Sequence, residues 1–265
     1  MVRHLLACFG KGGSKNEDGN GKSSGAVDAS GDGPVVVELF SSQGCATSPQ
    51  AEVLISRLGR GDFQLEVPVV VLAYHVDYWD YVGWKDPYGS SQWTVRQKAY
   101  VEALKLDTMF TPQVVVQGTA QCVASDQDAL LSTISNAPRF PSTGFKATFQ
   151  RPTSESLQVS LSGTLRTKID NNGVNVMLAL YESGLVNDCP KGENKGKVLA
   201  NDFVVRRLEK VCTVKGISAK KTVTGIVTLA LWDGFNGDKC GVAVFLQNGA
   251  HQIFGSQSFL LPDDI

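Results

Sequence analysis

An apolar run that leads into an amphipathic segment, Val35–Leu58, constrains the fold of this chain more than any other stretch. Val35–Phe40 is apolar except at one position, which predicts a buried strand, and Ser41–Gly44 is typical of a turn. A helix is predicted to follow, because Pro49 is tolerated in a first helical turn and apolar residues then recur at helical spacing. Cys45 therefore lies at a helix start, where backbone N–H groups and the helix dipole favour a thiolate over a thiol.

The rest of the amino-terminal half alternates between apolar strands and amphipathic helices. We expect a strand at Val67–Val76, a helix at Gln92–Lys105, a strand in TPQVVVQG and a hairpin strand in AQCVAS. A last helix is predicted in DQDALLSTISNA, with Ser125 or Asp126 as its N-cap. This order predicts an α/β domain over residues 34–138.

The composition changes after the segment APRFPSTG, which begins at Ala137 and contains two prolines. Short segments rich in β-branched and aromatic residues follow, separated by turns such as DNNG and DGFNGDK. We expect residues 144–262 to form an antiparallel, β-sandwich-like domain, in which only ANDFVVRRLEKV is typical of both helix and strand. Residues 1–33 are rich in glycine, serine and charge, so they are expected to be a disordered tail.

Charge and hydropathy exclude several classes of protein. The formal net charge of the 265 residues is −1, so the chain lacks the basic excess with which nucleic-acid binders neutralise phosphates. No apolar run approaches the roughly 20 residues that span a bilayer, and the first residues lack the features of a secretory signal. We expect a cytoplasmic protein without a nucleic-acid partner. Cys8 is either an acylation site, which would add a route to a membrane surface, or an inert thiol.

The cysteines predict free thiols rather than a disulfide framework or a zinc site. The six of them are widely spaced, at positions 8, 45, 122, 189, 212 and 240, and no C-x-x-C pair occurs. The three histidines, His4, His75 and His251, are scattered along the sequence and complete no zinc motif. We therefore expect no metal and no bound cofactor.

Parallel β-α-β order would place the loop of Cys45 beside the loop that follows Val76, at one edge of the sheet. His75 and Asp77 are then candidate neighbours of the sulfur, since an imidazole titrates near neutral pH and a carboxylate can accept a thiol proton. Both residues also have a structural interpretation, because a histidine at a strand end is often structural and such acids often cap turns.

Five segments are long or unusual enough to characterise a family. They are VVVELFSSQGCATSPQAEVL, YHVDYWDYVGWKDPY, RQKAYVEAL, TPQVVVQG and GENKGKVLANDFVVR. Together they resemble the DUF1223 family, a group of thioredoxin-like proteins without an established reaction. From Pro34 onward, the resemblance implies a thioredoxin-like domain followed by a β-rich domain. It also implies that Pro112 follows a cis peptide bond and packs beside the cysteine.

The chain departs from this family at the site itself. Members of the family commonly carry C-x-x-C-P, whereas this chain reads CATSP over residues 45–49. A hydroxyl cannot displace a mixed disulfide, so dithiol turnover between Cys45 and Ser48 is excluded. Capture of one thiol partner remains, with release by glutathione, by another protein thiol or by a distant cysteine such as Cys122.

Two functions are consistent with these residues. The first is a thioredoxin-like monothiol protein that exchanges or captures disulfides of proteins or of glutathione, which would be a co-substrate. Its candidate site residues are Cys45, Ser48, Pro112, His75 and Asp77. The second is a redox-inactive protein of the same fold that binds a partner and keeps the cysteine as a small buried side chain. The oligomeric state and the partner stay open.

Two further segments have interpretations of their own. Six aromatic residues between Tyr74 and Tyr88 either line a groove for a ligand or peptide, or pack this segment against the second domain. The segment CPKGENKGKVL contains glycines that suit an anion site, but it lacks a phosphate-loop motif. We therefore interpret it as a surface turn.

Overall fold

The computed structural model describes residues 33–165, 172–215 and 222–265. Within these ranges the chain forms one mixed eight-stranded sheet, two smaller sheets and three α-helices. The elements of the amino-terminal half are β1 (Val35–Ser41), α1 (Ser48–Gly59), β2 (Val69–His75), α2 (Ser91–Ala103), β3 (Gln113–Val116), β4 (Ala120–Val123) and α3 (Gln127–Ser135). Those of the carboxy-terminal half are β5 (Phe145–Thr153), β6 (Ser156–Thr164), β7 (Val174–Glu182), β8 (Leu185–Cys189), β9 (Lys197–Asn201), β10 (Val204–Val214), β11 (Thr222–Ala230), β12 (Cys240–Gln247) and β13 (Ile253–Leu260).

Local sequence signals explain where the three helices begin. α1 carries Pro49 in its first turn, where the missing N–H costs little. Ser90 caps α2 by accepting a hydrogen bond from the Gln92 N–H, and Asp126 caps α3 by accepting one from the Ala129 N–H at 3.0 Å. Asp126 is thus confirmed as the N-cap of the last predicted helix. None of the helices in the described ranges is long and apolar enough to cross a membrane.

The eight-stranded sheet takes strands from both halves of the chain, in the order β13-β12-β7-β10-β2-β1-β3-β4. β1 runs parallel to β2 and antiparallel to β3. β10 joins the two halves, because Val204 lies opposite Ala73 of β2 and the Ala73 N–H donates to the Phe203 carbonyl at 2.8 Å. The segment that is typical of both helix and strand is therefore a strand, and it connects the halves.

The expected thioredoxin-like α/β domain followed by a separate antiparallel sandwich is wrong. Residues 34–138 and 144–262 each contribute four strands to the same sheet, and the described residues contain only three α-helices. β12 illustrates the physical reason why the carboxy-terminal strands do not form a separate sandwich. All eight of its residues are buried, as in a strand that other elements cover on both faces. The change in composition near Ala137 marks the end of the last helix and not the end of the sheet.

Three clusters of buried side chains hold the layers together. On one face of the sheet, α2 packs on a cluster that extends across both halves and includes Phe40, Trp93 and Phe245. On the other face, α1 and α3 cover the amino-terminal strands, while the three-stranded sheet β11-β6-β5 covers the carboxy-terminal strands. The two-stranded sheet β8-β9 lies against α1, and so next to the loop that carries Cys45.

Most of the predicted tail, residues 1–33, lies outside the described residues, and so does Cys8. Gly33 is described, and it is buried with its N–H donating to the Phe140 carbonyl at 2.7 Å. A Cβ atom at this position would lie 2.6 Å from the backbone nitrogen of Ser142. A glycine is therefore needed for this close approach.

Candidate functional site

The loop that connects β1 to α1 holds Cys45 at the edge of the sheet. The Cys45 N–H donates to the Ser42 carbonyl at 3.1 Å, which closes a turn. Gly44 lets this turn pack closely, since a Cβ atom there would lie 3.0 Å from both the Cβ and the carbonyl oxygen of Trp79. The strand end, the turn and the helix start thus place the cysteine where the sequence predicts it.

The thiol of Cys45 is nearly enclosed, because only 3% of the residue is exposed. Its sulfur lies 3.4 Å from Thr47 Oγ1 and 3.7 Å from the Thr111 carbonyl oxygen, to which the S–H donates. Burial raises the pKa of the thiol, but hydrogen bonding by the side-chain hydroxyls of Ser48, Thr111 and Thr47 lowers it by more. The net shift of the pKa is downward, so these surroundings favour the thiolate.

The pKa values of the other described cysteines are shifted upward, opposite to that of Cys45. These cysteines are free thiols, and burial raises the pKa of each: Cys122, Cys189, Cys212 and Cys240. For Cys240 the pKa rises to about 12. Among the cysteines that the structure describes, Cys45 is the one with a lowered pKa.

Two more of the predicted site residues lie beside the thiol. Ser48 begins α1, and its Oγ accepts a hydrogen bond from the Ser42 N–H at 3.4 Å while its hydroxyl lowers the pKa of the Cys45 thiol. The Thr111–Pro112 peptide bond is cis, as the resemblance implies, and its carbonyl is the acceptor for the thiol. The structure therefore brings the cysteine, the serine and the proline peptide to one place.

The two remaining predicted residues lie elsewhere. His75 is fully buried at the end of β2, with Nδ1 2.7 Å from Asp86 Oδ2 and Nε2 3.4 Å from Glu52 Oε1. Asp77 accepts a hydrogen bond from Thr94 Oγ1 at 2.6 Å, and its own N–H donates to the same hydroxyl. Neither is among the main groups that shift the pKa of the thiol. His75 is paired with Asp86 and Glu52, and Asp77 with Thr94, so neither side chain contacts the sulfur of Cys45 directly.

Glu52, His75 and Asp86 form a buried triad of ionisable groups. Burial lowers the pKa of His75, but the two carboxylates raise it by more, to about 9. Burial raises the pKa of Asp86, yet the imidazolium and the N–H groups of Gln43 and Tyr88 bring it below its ordinary value. Burial is the largest effect on Glu52 and raises its pKa. At neutral pH the triad thus contains a His75–Asp86 ion pair.

The loop of Cys45 is tied to the rest of the molecule by Gln43. Its Nε2 donates to Asn201 Oδ1 at 2.7 Å and to Asn187 Oδ1 at 2.9 Å, and its Oε1 accepts a hydrogen bond from Trp84 Nε1 at 3.1 Å. Trp79 likewise donates from Nε1, at 2.7 Å, to the hydroxyl of the threonine before the cis proline. These contacts favour the structural interpretation of the aromatic segment.

Asn194 is a site residue that the sequence alone does not identify. It is fully buried, and its Nδ2 donates to the carbonyl oxygens of Gln43 at 2.8 Å and Cys45 at 2.9 Å. Lys197 Nζ donates to its Oδ1 at 2.9 Å. The interpretation of CPKGENKGKVL as a surface turn is therefore wrong at this residue. An asparagine between glycines was the available signal, because its amide can satisfy two carbonyls at once.

We expect Asn194→Ala to lower the free energy of unfolding by about 2 kcal/mol, because it leaves two buried carbonyls without a donor. The loop should also open more easily, so that iodoacetamide alkylates Cys45 faster. Asn136→Ala is the control, since Asn136 is exposed and its amide bonds within the last turn of α3. Urea unfolding and alkylation rates measure both effects. Equal effects of the two changes would show that Asn194 does not hold the loop.

The described part of the chain contains no group of three or more His, Cys, Asp or Glu side chains that could hold a metal ion. The buried triad does not form one, because Glu52 and Asp86 contact opposite nitrogens of the His75 ring.

The fold and the site together define a mostly β protein with one mixed sheet and a cysteine at a helix start. Residues 36–247 match the family described as a protein of unknown function (DUF1223), and the chain belongs to this family. No curated protein matches the chain.

Two solved structures resemble the whole fold. A crystal structure of a protein from Agrobacterium tumefaciens is 24% identical, with a TM-score of 0.59, and the alignment covers 88% of this chain and 96% of that one. HBP35 of Porphyromonas gingivalis is 13% identical, with a TM-score of 0.60, and the alignment covers 88% of this chain and 77% of that one. At these identities the likeness shows the fold.

Proposed function

We propose that this chain is a monothiol exchange protein that forms mixed disulfides through Cys45. The thiolate attacks one sulfur of a protein disulfide or of oxidised glutathione. A bond forms between the two sulfurs, the original disulfide bond breaks, and the second sulfur leaves as a thiolate that takes up a proton. A thiol from solution, such as reduced glutathione, then attacks the mixed disulfide and restores the Cys45 thiolate.

The observation that carries this proposal is the position of the Cys45 sulfur among hydroxyl groups at a helix start. Hydrogen bonds with Ser48, Thr111 and Thr47 more than offset the effect of burial on its pKa. The pKa of every other described cysteine is raised. Since the thiolate fraction limits exchange at neutral pH, we expect Cys45 to react ahead of the others.

Release must come from a second molecule. Ser48 occupies the position of a resolving cysteine, and its hydroxyl cannot displace a disulfide. Cys122, the internal alternative, lies in the core that α1 and α3 cover, and its pKa is raised. We expect the adduct to persist until an external thiol attacks it. The reducing cytoplasm, where we place the protein, supplies such thiols.

Access to the sulfur should limit the rate. Cys45 is almost fully buried, but the next two residues, Ala46 and Thr47, are exposed. A small displacement of these two residues would uncover the sulfur without disturbing the sheet. We therefore expect slow modification in the folded protein, faster when the loop is loosened.

Incubation with oxidised glutathione, followed by peptide mapping with mass spectrometry, tests the proposal. We expect one glutathione on Cys45 and less on any other described cysteine. Cys45→Ser should remove the adduct, whereas the matched change Cys122→Ser should leave it in place. Modification of the other cysteines ahead of Cys45 in the folded protein would contradict the proposal.

A redox-inactive binding protein is the second candidate, and the enclosed loop favours it. Asn194 and Asp86 hold the loop closed from two sides, as they would in a purely structural element. The pH dependence of Cys45 alkylation separates the two functions. A midpoint below the ordinary value of ~8.5 supports exchange, and a midpoint at or above it supports the binding protein.

A further inference from the structure

A pocket of about 400 Å³ lies between α1 and β9, next to the loop of Cys45. Ser41, Glu52 and Asn201 contribute a polar, buried floor, and Val53 and Val198 contribute an apolar rim. The volume is in the range of small-molecule sites, which combine apolar walls with a few polar groups. The sulfur of the cysteine does not line this pocket, so the two features are separate.

Two valine side chains at the rim of the pocket are exposed to solvent. Val53 is 56% exposed on α1, and Val198 is 66% exposed on β9. A single exposed valine is ordinary, but two from different elements at one opening form a surface that a ligand can cover. The ammonium group of Lys197, which also lines the pocket, is bound to Asn194. The opening therefore favours an apolar body.

Three polar atoms at or directly behind the floor have no hydrogen-bond partner among the described residues. They are Ser41 Oγ, Glu52 Oε1 and His75 Nε2, and all three residues are at most 3% exposed. Glu52 Oε1 and His75 Nε2 lie 3.4 Å apart without hydrogen-bond geometry, and the Ser41 hydroxyl is close enough to lower the pKa of Glu52. Leaving a buried polar atom without a hydrogen-bond partner is unfavourable. Three such atoms at one end of a pocket indicate that a bound group supplies their missing hydrogen bonds.

We propose that this pocket binds a small neutral molecule that has an apolar body and a polar head able both to donate and to accept hydrogen bonds, such as a primary amide or an alcohol. The body would cover Val53 and Val198, and the head would reach Ser41 and Glu52. A carboxylate head would be repelled by an ionised Glu52. An ammonium head beside a protonated Glu52, whose pKa burial raises, would be buried without an anion to pair it. A neutral head fits Glu52 in either protonation state. This site does not depend on the reactivity of the cysteine.

Four probes with the same phenylpropyl body test the head group: 3-phenylpropanamide, 3-phenylpropan-1-ol, 3-phenylpropanoate and 3-phenylpropylammonium. Ligand-observed NMR or calorimetry with the full chain should show millimolar or tighter binding of the amide and the alcohol. Both ions should bind at least about fivefold more weakly, the equivalent of one hydrogen bond. Equal binding of all four probes, or no binding of the amide and the alcohol, would overturn the proposal.

Variants of the rim and floor locate the site. Val53→Asp places a charge against the apolar body and should weaken binding of the amide about tenfold. Val95→Asp changes a similarly exposed valine on α2 outside the pocket, so it is the matched control and should leave binding unchanged. Ser41→Ala should weaken binding about three- to tenfold, because it removes a hydroxyl of the pocket floor that forms no full hydrogen bond within the described residues. Cys45→Ser should bind the amide normally. Undiminished binding in both pocket variants would overturn the site.

Discussion

In the Ser48→Cys variant, the mixed disulfide between Cys45 and glutathione is expected to disappear, and an internal disulfide to replace it. The new thiol would stand three residues after Cys45 at the start of α1, where the present hydroxyl already acts on the sulfur. Residues so placed are within the range that a disulfide can bridge. The new thiol attacks the mixed disulfide, releases glutathione as a thiol and leaves a disulfide between positions 45 and 48. Intact mass after oxidation, followed by peptide mapping, distinguishes the two species.

Ser48→Ala is the matched control for this variant. It removes a hydroxyl that lowers the pKa of the Cys45 thiol but supplies no sulfur, so the adduct should form more slowly and persist. Both variants should keep the fold, since the hydrogen bond from the Ser42 N–H is long, at 3.4 Å, and its loss costs on the order of 1 kcal/mol. A folded Ser48→Cys protein that still carries glutathione on Cys45 would show that position 48 is not placed to resolve the mixed disulfide. A folded Ser48→Ala protein that never forms the adduct would contradict the monothiol proposal.

Asp86→Asn is expected to lower the free energy of unfolding by about 3 kcal/mol or more near neutral pH. The change removes the carboxylate that lies 2.7 Å from His75, so the imidazole, which is 0% exposed, loses the partner that stabilises its charged form. The amide that replaces the carboxylate would also present its NH2 group toward one of the two N–H donors, that of Gln43 or that of Tyr88. Urea unfolding followed by tryptophan fluorescence measures the loss.

The stability of the unmodified chain should fall as the pH rises above neutrality. The pKa of His75 is raised from 6.5 to about 9, so the stabilisation is complete below the lower value and is lost as the pH rises through the higher one. The loss should reach about 3 kcal/mol, at about 1.4 kcal/mol for each pKa unit. The lowered pKa of Cys45 acts in the opposite direction, so the measurement is best made in a Cys45→Ser background. In Asp86→Asn this decline should be much smaller.

Asp77→Asn is the control for the charge of Asp86. Asp77 accepts a hydrogen bond from Thr94 that an asparagine oxygen can also accept, so we expect a change of less than about 1 kcal/mol. If both variants lose the same stability, or if the unmodified chain is equally stable across the titration range of His75, the buried histidine is not held as a cation.

Signals that act over a few residues predicted the surroundings of Cys45 well. The local sequence favours a strand at Val35–Phe40, then a turn, then a helix that starts near Pro49. The structure has β1, the loop and α1 at these positions. Ser48 shares the helix start with the cysteine by sequence position alone. For the cis peptide bond at Pro112, the resemblance to a family supplied the expectation, and the structure has it.

Contacts between distant parts of the chain were beyond this reasoning. The Asn194 amide donates a hydrogen bond to the carbonyl of Cys45, which is 149 positions away in the sequence. The segment CPKGENKGKVL contains no pattern that predicts which loop this amide contacts. His75 follows a strand as predicted, but its position between Glu52 and Asp86 depends on how α1 and the aromatic segment pack around β2. The contacts that a side chain makes are therefore harder to predict than the element that carries it.

The sequence by itself determined the helix-start cysteine, the absence of a resolving thiol at Ser48 and the strands on either side of Ala137. Only the tertiary structure decided that these strands share one sheet, because β10 pairs with β7 along its length and with β2 through Val204 opposite Ala73. A strand pattern specifies which residues are buried, and not which neighbour satisfies the backbone hydrogen bonds at its edges. That choice is made by long-range pairing, which joined strands from both halves of the chain in one sheet.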